Sequence, residues 1–291
     1  MNLNLKGLDK FLEKIPMLSG KKIIILPLYV LVVFGLSLTI QIYFDIIPSL
    51  IPVNGTTGYY TIVFPVLGVV IIAGIAIFLV YQMWYQHERL KAKYGKLSYQ
   101  RIFLVGFAGV VLLFSIVVHN FLATNQSNPS FWSQFPFSLF VTPLTSYLTP
   151  ISLLLGYFRF LLGAFFTILG VAMAVRAIFT FGFDYMTVVY LYFPEESELQ
   201  DHKIYSVLRH PTYSGLLLVC LGGTFIHLTI YSILFFLILY FGMFIHIHFV
   251  EEKELINRFG DSYVEYREKT PAFFAHIRDW GSFFRFILGG E

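Results

Sequence analysis

Two polar clusters interrupt an otherwise apolar C-terminal half, and both carry residue types that can do chemistry. The first reads YSVLRHPTYSG over residues 205–215 and offers Tyr205, Arg209, His210, Pro211, Thr212 and Tyr213. The second begins HIHFVEEKELINRFG at residue 246 and offers His246, His248 and the pair Glu251-Glu252. Carboxylates hold ammonium groups and hydroxyls, arginine meets anions, and tyrosine rings face cations. Histidine exchanges protons near neutral pH. Each cluster also has a plainer reading. Arg209-His210 has the form of a basic flank at a membrane interface, and Glu251-Glu252 that of a helix emerging into water. His246 and His248 are two residues apart and share no helix face, which argues against a metal site there.

The elements that must position these clusters are membrane helices. The chain has 291 residues, of which 57% are hydrophobic and 13% charged. Soluble domains carry roughly 25% charge. The fold class expected is therefore all-α integral membrane. Six apolar blocks, near 23–44, 60–85, 101–122, 150–180, 212–229 and 230–250, match the ~20 residues of a bilayer span. The stretch from Ile23 is too long for a cleavable leader and no small-residue cleavage site follows, so it is expected to remain as a helix. A net charge of +3 with scattered basic residues excludes a nucleic-acid binder. The lone cysteine, Cys220, forms no intrachain disulfide. Two parts are expected: N-terminal helices over 1–145, and a core over 146–291 with a cytoplasmic C-terminal helix.

Lysine and arginine set the orientation. They fall in the N-terminal segment, the loop at 89–101, the stretch before Pro211 and the C-terminal tail, whereas 45–59 and 123–149 contain none. All basic segments then share one side, which places both termini in the cytoplasm. The sequons at Asn54 and Asn125 fall on the outer side and are expected by chance. Arg159 and Arg176, inside the fourth block, are expected to snorkel towards opposite interfaces. His119 and Asn120 read as capping or interface residues. The last two blocks are each near the minimum spanning length, with a turn near 227–229. They form a hairpin whose open end brings the two clusters together.

The ordered set Tyr205-x3-Arg209-His210-Pro211-x-Tyr213-x-Gly215, followed by a hairpin and Glu251-Glu252-x2-Leu255-x3-Phe259-Gly260-x2-Tyr263-x2-Tyr266, resembles the membrane methyltransferase superfamily. That group holds isoprenylcysteine carboxyl methyltransferases and phospholipid methyltransferases. The resemblance implies S-adenosyl-L-methionine bound in a cytoplasmic-face site, and a lipophilic small-molecule or lipidated acceptor entering from the membrane lipids. It points to Leu199, Gln200, Tyr205, His210, Pro211, Thr212, Tyr213 and Glu251 for the cofactor. Arg209 and Glu252 are the catalytic candidates, and His248 with Arg209 the acceptor-side pair. Pro211 is expected in the first turn of a helix.

The chain departs from the pattern in three places. Lys203 stands where the family often has glycine. No arginine precedes the glutamates, where prenylcysteine enzymes have one facing the acceptor carboxylate. A second proline after Pro271 is missing. The acceptor is thus left open between carboxylate, amine and thiol, with poor turnover of prenylcysteine expected. RHPxYxG alone also occurs in NADPH-dependent membrane sterol reductases, which remain the alternative together with a non-enzymatic membrane protein. The orientation is checked by reporter fusions: those after residues 95, 200 and 291 should read cytoplasmic, and those within 45–59 or 123–149 external.

Overall fold

The computed structural model describes residues 6–50, 58–122, 143–148 and 151–289, and every regular element among them is helical. Helix α1 (Leu8–Lys14) precedes α2 (Ile25–Leu50) and α3 (Gly58–Tyr85); α4 (His87–Tyr94) leads into α5 (Ser98–Leu122). Then come α6 (Ser152–Phe181), the short α7 (Phe183–Met186) and α8 (Val189–Tyr192), and the hairpin α9 (Pro211–His227) and α10 (Ile230–His246). A π-helical turn, Ile247–Glu251, joins α10 to α11 (Glu252–Phe259). Helices α12 (Asp261–Lys269) and α13 (Trp280–Leu288) complete the chain. The loop expected at 123–149 and the two sequons lie outside the described residues, apart from 143–148.

Among the described residues, five segments are long and apolar enough to cross a membrane: Gly20–Ile47, Val63–Tyr85, His87–Leu122, Ser152–Phe181 and Ile230–Phe259. The remaining apolar block is α9. Its 17 residues span about 26 Å at 1.5 Å per residue, short of the ~30 Å hydrocarbon core. Local chemistry fixes that length. Pro211 occupies the first turn, where its missing N–H costs nothing. Leu228 then ends the helix in the left-handed region, at φ 47°. Thr229 opens α10 with a reciprocal cap, accepting from the Ser232 amide at 3.2 Å while its own amide donates to Ser232 Oγ at 3.0 Å. A short helix is tolerated because α9 is surrounded by protein, which satisfies what lipid could not.

The central position of α9 organises the bundle. Leu217 shares a core with Val69 and Ile72 of α3, Ile116 of α5, and Phe235 and Leu239 of α10. Both halves of the sequence therefore build one core. Leu31 of α2 and Leu153 and Ile168 of α6 instead point outward, each about 70% exposed, as lipid-facing residues do.

On its other side α9 packs against α6 almost backbone to backbone. A Cβ at Gly170 would lie 2.6 Å from the Gly215 carbonyl oxygen, and one at Gly215 would lie 2.8 Å from that of Gly170. Gly163 and Gly222 repeat the contact farther along. Without a hydrophobic driving force between helices in lipid, small residues that permit such approach supply the packing.

A polar ladder crosses the bundle. Ser37 and Ser115 share a hydrogen bond at 2.6 Å, and His119 Nε2 meets Asp45 Oδ2 at 2.8 Å. Asn120 donates to the Cys220 carbonyl and to Thr224 Oγ1, both at 2.9 Å. His119 and Asn120 are thus fully buried rather than capping or interfacial, because facing helices supply partners that no local sequence reveals. Arg159 donates to the His227 carbonyl, and Arg176 Nε to the Ile287 carbonyl at 3.1 Å. These arginines satisfy helix-end carbonyls instead of simply reaching water.

Gly215→Val drives a side chain into backbone, so it should abolish monodisperse protein on size-exclusion chromatography. Gly35→Val, at a site with no neighbour within 4 Å, should leave the elution profile unchanged.

Candidate functional site

The open end of the α9–α10 hairpin gathers both polar clusters. The amides of Arg209 and His210 donate to the carbonyls of Pro271 at 3.0 Å and Ala272 at 3.1 Å. The segment after α12 is thereby pinned to the start of α9. Arg209 completes the clamp: Nη1 donates at 2.6 Å to both Arg267 and Thr270 carbonyls, orphaned at the end of α12. Its Nη2 lies 2.6 Å from Glu252 Oε1.

Next to it, His210 sits between the two glutamates. Its Nε2 is 3.4 Å from Glu252 Oε1, and its Nδ1 is 3.6 Å from Glu251 Oε1. Tyr213 donates to Glu251 Oε2 at 2.9 Å. Burial alone would lower the His210 pKa. The hydrogen bonds and charges of Glu251 and Glu252 outweigh it and hold the pKa above the ordinary value. The two carboxylates on either side favour the charged form of the ring.

The π-turn decides which residues face inward. Its i→i+5 bonding places His246 and Glu251 on one stripe. That stripe runs Gly242, Met243 and His246 on α10, then Glu251, Glu254, Leu255 and Arg258, and all of them line one cavity. A continuous α-helix would break it after His246. His248, two residues after His246, lies on the exposed outer face, stacked on Phe244 and edge-on to Phe249.

The cavity has a volume of about 770 Å³, in the upper part of the roughly 300–1,000 Å³ usual for small-molecule sites. Leu199, Gln200, Tyr205, Arg209, His210, Pro211, Thr212, Tyr213 and Glu251 all line it. Glu252 does not. It stands behind the wall, 3% exposed, holding Arg209 and His210. His248 is likewise outside the lining.

Several lining residues were not singled out as site residues from sequence. Phe181, Tyr185 and Tyr190 join Tyr205 in an aromatic wall, with ring centroids 4.6 Å apart for Phe181–Tyr205, 4.5 Å for Phe181–Tyr185 and 4.0 Å for Tyr185–Tyr190. They come from a stretch without helical period, so no pattern marked them. Tyr263 and Tyr266 were visible only as part of the distal motif. Tyr266 donates to the Tyr205 carbonyl at 2.6 Å, and the buried Tyr263 hydroxyl has no partner among the described residues. Burial raises the Tyr205 and Tyr263 pKa values, so both phenols stay neutral. Beyond His246 the lining turns apolar, with Ile77, Val80, Trp84, Phe107 and Val111.

Outer elements brace this wall. Lys14 of the N-terminal segment meets Glu196 at 2.7 Å, and Phe11 of α1 packs edge-on against Phe183. Phe283 and Ile287 of α13 support Ile204 and Tyr205.

Comparison with known proteins finds similarity in the part of the chain that carries both polar clusters. A family model described as phospholipid methyltransferase matches residues 158–262, which include most of α6, the aromatic wall and both glutamates. Protein-S-isoprenylcysteine O-methyltransferase of Schizosaccharomyces pombe is 36% identical over 69 residues. Both findings support the membrane methyltransferase superfamily. The aligned stretch is 24% of this chain and 29% of that relative, so the chain spans less than a third of the curated protein it matches. No solved structure matches. With its apolar helices, this methyltransferase-like chain is an integral membrane protein.

Lys203, where methyltransferases of this group often carry glycine, adopts φ 54°. A side chain in the left-handed region costs roughly 1–2 kcal/mol. Lys203→Gly should therefore raise the thermal unfolding midpoint, by roughly 2–4 °C per kcal/mol regained in a chain of this size, as read by a thiol-independent dye assay in detergent.

Proposed function

We propose that this protein transfers the methyl group of S-adenosyl-L-methionine to a lipophilic acceptor, with the charged end of the cavity at the cytoplasmic face. The observation that carries the reading is one cavity with two unlike ends. The charged end holds Glu251, His210, Tyr205 and Tyr213, and the other end is apolar and lies among the membrane helices. The cytoplasmic assignment rests on the distribution of Lys and Arg along the chain.

The residues fit the cofactor. It carries a sulfonium, an ammonium, a carboxylate and an adenosine, and when bound it supplies a methyl carbon activated for in-line displacement. The Glu251 carboxylate suits an ammonium or ribose hydroxyls. The wall of Phe181, Tyr185, Tyr190 and Tyr205 suits a cation and a flat ring. The Tyr263 hydroxyl, without a partner among the described residues, is a donor available to a ligand acceptor. Leu199, Gln200, Pro211 and Thr212 enclose the same end. What remains for the protein is positioning and exclusion of water.

Within this reading Arg209 and Glu252 are positioning residues. The Nη atoms of Arg209 are engaged by carbonyls and Glu252, and Glu252 does not reach the cavity. His248 lies on the outer face, away from the cavity lining.

Calorimetry on purified protein should show binding of S-adenosyl-L-methionine and none of NADPH; the reverse result would establish the reductase alternative. Glu251→Gln and His210→Ala should each weaken that binding at least about tenfold, or ~1.4 kcal/mol. The stability contributed by charged His210 is fully present below its unfolded pKa of about 6.5 and is lost as pH rises through its higher folded-state value. Thermal midpoints measured across that window should fall for the wild type and stay flatter for His210→Gln.

A further inference from the structure

We infer that His246 is the acceptor-side proton-accepting residue of this cavity, and that the acceptor is an apolar-tailed amine or thiol. The inference rests on the methyl-transfer reading and names the acceptor class for it.

His246 is 5% exposed, yet neither Nδ1 nor Nε2 has a hydrogen-bond partner among the described residues. Leaving a buried polar group unsatisfied is destabilising, and an imidazole has two. Native structures rarely tolerate this unless a ligand or water completes the group. The ring is held rather than loose, since it meets Trp84 edge-on at 4.8 Å between centroids and 82° between planes. It also lines the cavity at the boundary between its two ends, with Met243 and Gly242 on the apolar side. The π-turn sets it five residues before Glu251 on the same stripe. A headgroup at His246 therefore stands next to the proposed cofactor end.

The charges around the cavity favour a neutral headgroup over a carboxylate. Its lining contains two arginines and, among the described residues, no lysine. The Arg209 Nη atoms are bonded to Glu252 and two carbonyls, and Arg258 Nη2 pairs with Glu254 at 3.1 Å. Each guanidinium is thus already charge-paired with a glutamate, so neither offers an uncompensated cation to an acceptor anion, although the Nε atoms of both have no partner among the described residues. An amine or thiol asks instead for an acceptor of its proton, which a neutral imidazole nitrogen provides. In the step, the N–H or S–H proton passes to a ring nitrogen of His246. The heteroatom keeps the electron pair and bonds to the methyl carbon. The pair of the broken carbon–sulfur bond stays on sulfur as a thioether, and His246 later releases its proton to water.

The test uses the full chain in nanodiscs, with dodecanethiol as acceptor probe. Trp84 touches His246, so its emission in a Trp132→Phe, Trp280→Phe background reports thiol binding without turnover. His246→Phe keeps a ring against Trp84 and removes the nitrogens. It should weaken thiol binding at least about tenfold and abolish methylation. His246→Gln keeps polar contact, so binding should hold within about threefold while methylation falls at least about 100-fold, the lower end of general-base effects. Both variants should bind S-adenosyl-L-methionine as the wild type does. Wild-type methylation rates in both variants would overturn the inference, as would robust methylation of farnesylcysteine with none of dodecanethiol or dodecylamine. If the wild type binds no S-adenosyl-L-methionine, the methyl-transfer reading fails. The Trp84 titration then still decides the acceptor site, because unchanged thiol binding by His246→Phe overturns it and lost binding upholds it.

Discussion

Arg209, Glu252, His210 and Glu251 form a chain of alternating charge across the open end of the hairpin, and the functional end of the molecule hangs on it. Buried ions carry desolvation penalties of several kcal/mol each unless they are paired and hydrogen-bonded. Here each charge has an opposite neighbour, and Arg209 also satisfies two carbonyls that α12 leaves open. The network ties three separate stretches together: the start of α9, the end of the π-turn and the segment at 267–272. Removing one member strands another charge in a buried place. This makes Arg209 and Glu252 important to the site although Glu252 never reaches the cavity.

That network can form only where the helices allow it. The α6–α9 contact is close because Gly163, Gly170, Gly215 and Gly222 present bare backbone. It sets the position of α9, and so of His210 at its N-terminal end. On the other arm, the π-turn adds one residue to the register, and the inward stripe of α10 continues into Glu251. The cavity thus joins an apolar interior to a charged rim without any break in the helix. π-bulges are frequent at functional sites for this kind of reason.

The N-terminal helices are also part of the site. Trp84 of α3 and Phe107 and Val111 of α5 line the apolar end. The N-terminal segment, through Phe11 and Lys14, braces the loop that carries the aromatic wall. The family match begins only at residue 158, so part of the cavity's apolar lining lies outside the matched region.

The sequence by itself determined the class, the helices and the meeting of two motifs. A 57% hydrophobic chain must bury its apolar blocks in lipid, and a proline followed by two short spans must fold back as a hairpin. Hence Arg209, His210, Tyr213 and Glu251 were legible as neighbours. Lys203 was legible as a departure, and its left-handed φ gives the reason. Only the tertiary structure decided which residues face the cavity. Hydropathy reveals neither a π-turn nor which helix face meets the cavity, so the sequence could place His246 and His248 on different faces but not say which of them turned inward. Nor does sequence show which polar groups find partners. His119 Nε2 is met by Asp45 from a helix 74 residues away, although its Nδ1 has no partner among the described residues, whereas both ring nitrogens of His246 lack one among those residues and the ring lies between Trp84 and the cavity. Both outcomes depend on which helix faces come to lie opposite one another, and packing across the bundle sets that.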